Sequence, residues 1–277
     1  MKKILGIIKI SRPVNFIITF LVVLTSAFIC SEEIFELNKI IFASLSASFI
    51  AGAGNIINDI FDYRIDLINR PSRPLPKKEL SINFAAVLYL IFNSIGLYLA
   101  FLASWNLFFI AVLISLILLI YSYSLKNILI VGNFTVAFCT ASAFVYGGIA
   151  VNNWEASIIP AVFAFLVNFI REIVKDVEDQ EGDLINNVIT FPTKFGIKST
   201  KKLLIFLIIV LILLTFYPFL NSIYKIEYFI LVLFSVDLLL AYIIKLILYF
   251  DFTKEISKIS KLLKLSMLFG LIAIMAG

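Results

Sequence analysis

Residues Gly54 to Asp66 read GNIINDIFDYRID. An apolar run that begins near Ile40 ends here in three aspartates, Asp59, Asp62 and Asp66, spaced i, i+3 and i+7, with Asn55 one turn earlier. At 3.6 residues per turn, all four fall on one helical stripe. Three acids on one stripe repel one another unless something positive sits between them. The apolar run is long enough to cross a bilayer as a helix, so the stretch implies a membrane helix that keeps its charge for one end.

The rest of the chain agrees with that reading. Of 277 residues, 62% are hydrophobic and only 15% charged, far from the balance of a soluble domain. Apolar runs that can span a hydrocarbon core fall at about residues 14–30, 40–60, 82–102, 105–122, 128–150, 157–173, 203–220, 228–249 and 262–277. The expected fold class is therefore all-α, a polytopic bundle of about nine transmembrane helices forming a single domain over residues 1–277. The amino terminus carries basic residues as far as Arg12 and no clear small-x-small cleavage site before Ser31, so the first span is expected to be retained.

Charge orients the bundle. With the N-terminus cytoplasmic, 21 of the 23 Lys and Arg residues fall on that side, leaving only Lys39 and Lys225 outside. This is a strong positive-inside bias, and it accounts for the net charge of +5 without a nucleic-acid partner. The expected location is the cell membrane, with the N-terminus and the acidic residues on the cytoplasmic side. Cys30 and Cys139 are too few and too separate for a disulfide framework or a CxxC metal site. The chain has no histidine, which excludes His-based acid–base relays and His-ligated zinc or haem.

The arrangement of the opening stretch returns at Arg171–Asp183, REIVKDVEDQEGD. Asp176, Asp179 and Asp183 repeat the i, i+3, i+7 spacing, each 117 residues after its counterpart, and Glu172 stands one turn earlier. The two segments hold nine of the eighteen acidic residues, and such concentration at a membrane boundary is costly enough to suggest function. Oxygen ligands without His or Cys suit a hard cation, Mg²⁺ rather than zinc or copper. Mg²⁺ is commonly shared between carboxylates and substrate phosphates, so two facing stripes are expected to bind a diphosphate through bridging ions. Phosphate oxygens also attract Arg and Lys. Arg70 and Arg73 in the proline-stiffened NRPSRPLPKK loop are candidates, as are Tyr121, Tyr123 and Lys126 in YSYSLKN.

These residues resemble the UbiA-type intramembrane prenyltransferases. The family's first motif, NDxxDxxxD, is matched by Asn58, Asp59, Asp62 and Asp66, its second acidic motif by Asp176–Asp183, and its tyrosine-lysine loop by Tyr121–Lys126. The likeness runs from SRPVN (Ser11–Asn15) to TFPTKFG (Thr190–Gly196). Within the family, NRPSRPLP and REIVKDVEDQEGD look most like the members that add a second geranylgeranyl chain to geranylgeranylglyceryl phosphate in archaeal ether-lipid synthesis.

The resemblance implies that the six aspartates hold Mg²⁺ and the diphosphate of geranylgeranyl diphosphate, helped by Asn55, Asn58, Arg70, Arg73, Tyr121, Tyr123 and Lys126. A lipid-phosphate acceptor would be anchored by Arg12, the best candidate by resemblance, with Asn15, Arg171 and Lys175, and Glu172 is the choice for the base. Two other readings stay open at this point. An aromatic acceptor of the quinone, haem or chlorophyll kind would use the same chemistry. A divalent cation transporter would explain the acids, although transport sites belong near the midplane.

Overall fold

The computed structural model describes residues 2–31, 36–185 and 188–277. Among them helices are the regular secondary structure, and nine are long and apolar enough to cross a membrane. In order they are Lys3–Cys30, Leu37–Phe61, Ile82–Ala103, Trp105–Tyr123, Val131–Ala150, Glu155–Glu178, Phe191–Leu220, Ile226–Tyr249 and Phe252–Ala276. The all-α, nine-span expectation therefore holds, but several helices overrun their apolar windows. The sixth begins two residues early and continues to Glu178, while the seventh and ninth start about ten residues sooner than expected. A helix satisfies its own backbone hydrogen bonds outside the hydrocarbon too, so charged turns prolong it where hydropathy falls.

The chain divides into two compact units, Met1–Lys126 with Ser142–Ile158, and Asn127–Ala141 with Ile159–Gly277. In the first, α1 (Lys2–Ser11) and α2 (Pro13–Cys30) are separated by Arg12, which adopts the left-handed conformation at φ 50°. Proline disfavours the α region for the residue before it, so Pro13 sets the break and then starts α2 as a preorganised first turn. Next come α3 (Leu37–Phe61), the short α4 (Tyr63–Asn69), α5 (Ile82–Ala103) and α6 (Trp105–Tyr123).

Helix α3 carries ASLSASFIAGAG, a run of small residues that lets neighbouring backbones approach closely. Its serines are satisfied locally or across the interface. Ser44 and Ser48 donate to the carbonyls of Ile40 and Ser44, and Ser46 meets the Tyr146 hydroxyl at 3.1 Å.

The second half of α7 (Val131–Ala150) packs on α2, where the Ser26 hydroxyl donates to the Phe144 carbonyl at 2.6 Å. A Cβ placed on Gly147 would lie 2.5 Å from the Val23 carbonyl oxygen and 2.8 Å from Ser26 Cβ. Neither backbone can yield. Gly147→Ala is therefore expected to destabilise by about 1–3 kcal/mol through overpacking. Gly270→Ala, whose new atom would find only Val236 at 3.9 Å, should be neutral or slightly stabilising because alanine favours helix. Thermal unfolding of the two variants in detergent should separate them, and equal melting temperatures would refute the close contact.

In the second unit, α8 (Ile158–Glu178), the short α9 (Gln180–Ile185), α10 (Phe191–Leu220), α11 (Ile226–Leu231), α12 (Leu238–Tyr249) and α13 (Phe252–Ala276) follow the first half of α7. Between α11 and α12, residues Val232–Asp237 form a π-helical segment. Its last residue, Asp237, lies deep in the eighth span. There it receives the Thr215 hydroxyl at 3.2 Å, and Tyr228 donates to the Thr215 carbonyl at 3.0 Å. The buried acid is thus held between helices by a threonine.

Candidate active site

Both acidic motifs have the same local construction. Helix α3 stops at Phe61 and α4 starts at Tyr63, so the interruption falls on Asp62. Helix α8 stops at Glu178 and α9 starts at Gln180, so it falls on Asp179. The backbone ladder continues across each. Asp62 and Asp66 donate N–H to the carbonyls of Asn58 and Asp62, and Asp179 and Asp183 donate to those of Lys175 and Asp179. The middle aspartate of each motif ends a spanning helix, and the third rides on a separate short one.

In the first motif this splits the expected single stripe into two groups. Asp59 and Asp66 are buried, at 3% and 4% exposure, and share Arg73, whose Nη1 lies 3.1 Å from Asp59 Oδ1 and 2.5 Å from Asp66 Oδ2. Arg12 donates to Asp59 Oδ1 at 2.6 Å and to Asn55 Oδ1 at 3.2 Å. The left-handed turn at Arg12 is what aims the guanidinium at this pair. Asp62 points elsewhere, accepting from Lys126 Nζ on one oxygen and from Asn58 Nδ2 at 2.8 Å on the other. Burial holds the Asp66 carboxyl above the usual carboxylate range, opposed by the charge and hydrogen bond of Arg73 and reinforced by Asp62 and Asp59.

Arg73 reaches the acids because its loop is anchored. Leu75 and Leu80 are buried in one cluster with Ile10, Ile56, Ala85 and Leu88. Lys9 pairs with Glu79 at 3.2 Å, and turn hydrogen bonds run from Arg73 to Arg70 and from Glu79 to Pro74. Arg70 caps α4 through its N–H to the Asp66 carbonyl.

Tyr121 and Tyr123 belong to the last turn of α6 rather than to a free loop, since that helix runs one residue beyond its apolar window. Tyr123 is 72% exposed and lies edge-on to Phe61 at 5.8 Å. Asn15 is exposed on α2, where its carbonyl accepts the Thr19 hydroxyl.

In the second motif, Glu172 is buried and held by Lys175 at 2.9 Å and Arg171 at 3.4 Å. Asp176 Oδ2 accepts from Asn133 Nδ2 at 2.8 Å. Sequence reasoning missed Asn133. Its signal was an amide in the first turn of an apolar span, VGNFTV.

Among the described residues no three acidic side chains stand around one metal position. In the first motif the aspartates are paired instead with Arg12, Arg73 and Lys126. The donor set nevertheless suits a hard cation. Its ligands are oxygens, and Asn58 Oδ1, beside Asp62, is buried without a hydrogen-bond partner, as is Arg171 Nε in the second motif. One is an acceptor for a cation and the other a donor for an anion.

Fold and charge together define an all-helical integral membrane protein that gathers its acids at helix ends and pairs them with arginine and lysine. The profile of the UbiA prenyltransferase family matches residues 18–268. Digeranylgeranylglyceryl phosphate synthase of Methanosphaera stadtmanae is 33% identical over 270 residues, covering 98% of both chains. That of Methanobrevibacter smithii is 35% identical over 280 residues, covering 98% of this chain and 96% of its own.

A solved structure described as digeranylgeranylglyceryl phosphate synthase in membranes superposes with a TM-score of 0.83 at 34% identity, over 100% of this chain and 99% of that one. A UbiA homologue from Archaeoglobus fulgidus bound to GPP and Mg²⁺ shares the fold, with a TM-score of 0.67 at 20% identity over 97% and 99% of the two chains. The chain belongs to the UbiA prenyltransferase family, and it is a membrane prenyltransferase.

Proposed function

We propose that this prenyltransferase moves a geranylgeranyl group from geranylgeranyl diphosphate to the free hydroxyl of geranylgeranylglyceryl phosphate, using Mg²⁺. The observation that carries the reading is the repeated acid construction at Asp62 and Asp179, each motif set beside cationic side chains. The near full-length likeness to digeranylgeranylglyceryl phosphate synthases supports the acceptor.

In this reading Asp59, Asp62, Asp66, Asp176, Asp179 and Asp183 hold the metal, with Asn58 Oδ1 as a further oxygen ligand. When bound, Mg²⁺ neutralises charge that develops on the leaving diphosphate. Arg70, Arg73 and Lys126 add charge-assisted hydrogen bonds to its oxygens, Arg73 exchanging Asp59 and Asp66 for phosphate. Tyr121 and Tyr123 line the approach. The apolar bundle keeps water from the allylic cation that ionisation leaves behind. Arg12, Asn15, Arg171 and Lys175 anchor the acceptor phosphate, for which Arg171 Nε offers an unused donor. Glu172, held by Lys175 and Arg171, takes the hydroxyl proton. The positive-inside bias supports a cytoplasmic location for the N-terminus and both motifs.

The test is transfer of radiolabel from geranylgeranyl diphosphate by the purified protein, with geranylgeranylglyceryl phosphate and 4-hydroxybenzoate offered separately. Label should reach the lipid phosphate alone and should fall to background in EDTA, returning with Mg²⁺. Transfer to the aromatic acid would keep the chemistry and replace the acceptor. Transfer that persists in EDTA would remove the metal from the mechanism.

A further inference from the structure

The leading aspartates of the two motifs are held in parallel ways that differ in charge. Each is gripped from the start of a helix that follows a left-handed residue. Arg12, at φ 50°, precedes α2 and itself donates to Asp59. Ile130, at φ 66°, precedes α7, whose first turn reaches Asp176 of α8 through Asn133 Nδ2 at 2.8 Å.

A β-branched residue rarely adopts positive φ, and such a conformation persists only where the surrounding structure enforces it. Here it starts α7 three residues before Asn133, and the Phe134 N–H closes the turn on the Ile130 carbonyl at 2.8 Å. The Phe134 ring meets Phe165 of α8 edge-on at 5.1 Å, so the first turn of α7 packs on the helix that carries the acid.

The partners of the two aspartates set them apart. Asp59 meets two guanidinium groups, Arg12 at 2.6 Å and Arg73 at 3.1 Å. Asp176 meets an uncharged amide, while the neighbouring cations Lys175 and Arg171 are engaged by Glu172 at 2.9 and 3.4 Å. An amide N–H fills one acceptor position of a carboxylate and cancels none of its charge. It fixes the side chain through Oδ2, leaves Oδ1 outside that bond, and brings no positive charge that a metal would have to displace.

We propose that Asn133 is a positioning residue for Mg²⁺, orienting Asp176 as a ligand of the second motif so that this motif takes a divalent cation without breaking an ion pair at its leading aspartate. The inference deepens the proposed function, since it rests on Asp176 as a metal ligand.

The experiment is titration of the purified full-length protein with Mn²⁺ alone, the free ion being counted by its electron paramagnetic resonance signal. Asn133→Leu has a side chain of similar size that cannot donate, and it is expected to weaken Mn²⁺ binding about tenfold, the scale on which partners of metal ligands act. Asn133→Ser keeps a shorter donor and should lose about threefold; it is the variant read should Asn133→Leu fail to assemble. In an Asp176→Asn background, Asn133→Leu should change binding less than about twofold, because the ligand it orients is gone. In turnover, the Mg²⁺ concentration for half-maximal transfer should rise with the Mn²⁺ constant while kcat at saturating Mg²⁺ stays within about twofold. A purely structural amide would lower the melting temperature without moving that split.

Mn²⁺ held equally by wild type and both Asn133 variants would overturn the positioning role and leave the metal reading intact. An undiminished effect of Asn133→Leu in the Asp176→Asn background would overturn it too, since the amide would then act elsewhere. A wild type that binds no Mn²⁺ would overturn both readings.

Discussion

Asp62→Asn and Asp179→Asn are each expected to lower kcat/KM for prenyl transfer by at least about a thousandfold, the scale of losing a preorganised electrostatic contact to a leaving group. Asparagine keeps the size of the side chain, and its carbonyl oxygen can still accept from Asn58 at position 62, while its amide nitrogen cannot accept from Lys126. What disappears is one negative charge at each motif. The two variants combined should cost little more than either alone, because groups that act as one unit are strongly non-additive. Folding is checked by an unchanged melting temperature in detergent. A loss under tenfold for either variant would mean that the middle aspartates, and with them the proposed metal sites, have been misassigned.

Arg73→Met is the corresponding prediction for stability. Arg73 is 17% exposed in its side chain and bridges two buried acids. Without it, Asp59 keeps Arg12, but Asp66 loses its ion pair while remaining buried. Breaking one side of a buried pair costs about 3–5 kcal/mol because an uncompensated charge is left behind. For a chain of this size the melting temperature should fall by roughly 5–10 °C. Adding Asp66→Asn should restore more than half of that loss, since the orphaned charge is then removed, while activity stays low. If Arg73→Met melts like the wild type, the bridge is not holding α4 against its loop.

Much of this could be read from the residues. Nine spans follow from hydropathy because lipid leaves a helix no alternative partner for its backbone. The two acid motifs stand out because charge is scarce elsewhere. The division of Asp59, Asp62 and Asp66 was not legible, since a periodicity argument treats the helix as one straight rod and cannot see the interruption at Asp62. Arg12 was selected by resemblance, but its aim depends on a left-handed φ that sequence only hints at through Pro13. Asn133 was invisible for another reason. Its partner Asp176 is forty-three residues away, and no local pattern connects an amide on one span to a carboxylate on another.

The interruptions at Asp62 and Asp179 also set what each motif can do mechanically. A continuous helix would carry its three carboxylates as a rigid comb, and moving one would tilt the whole span in the bilayer. Here the third acid sits beyond a joint whose pivot is itself a carboxylate. Asp66 and Asp183 are each joined to the spanning helix that carries Asp59 or Asp176 through a single turn residue. If the proposed Mg²⁺ site forms there, the near-octahedral geometry that this ion demands would be met by adjustment at one residue rather than by tilting a span.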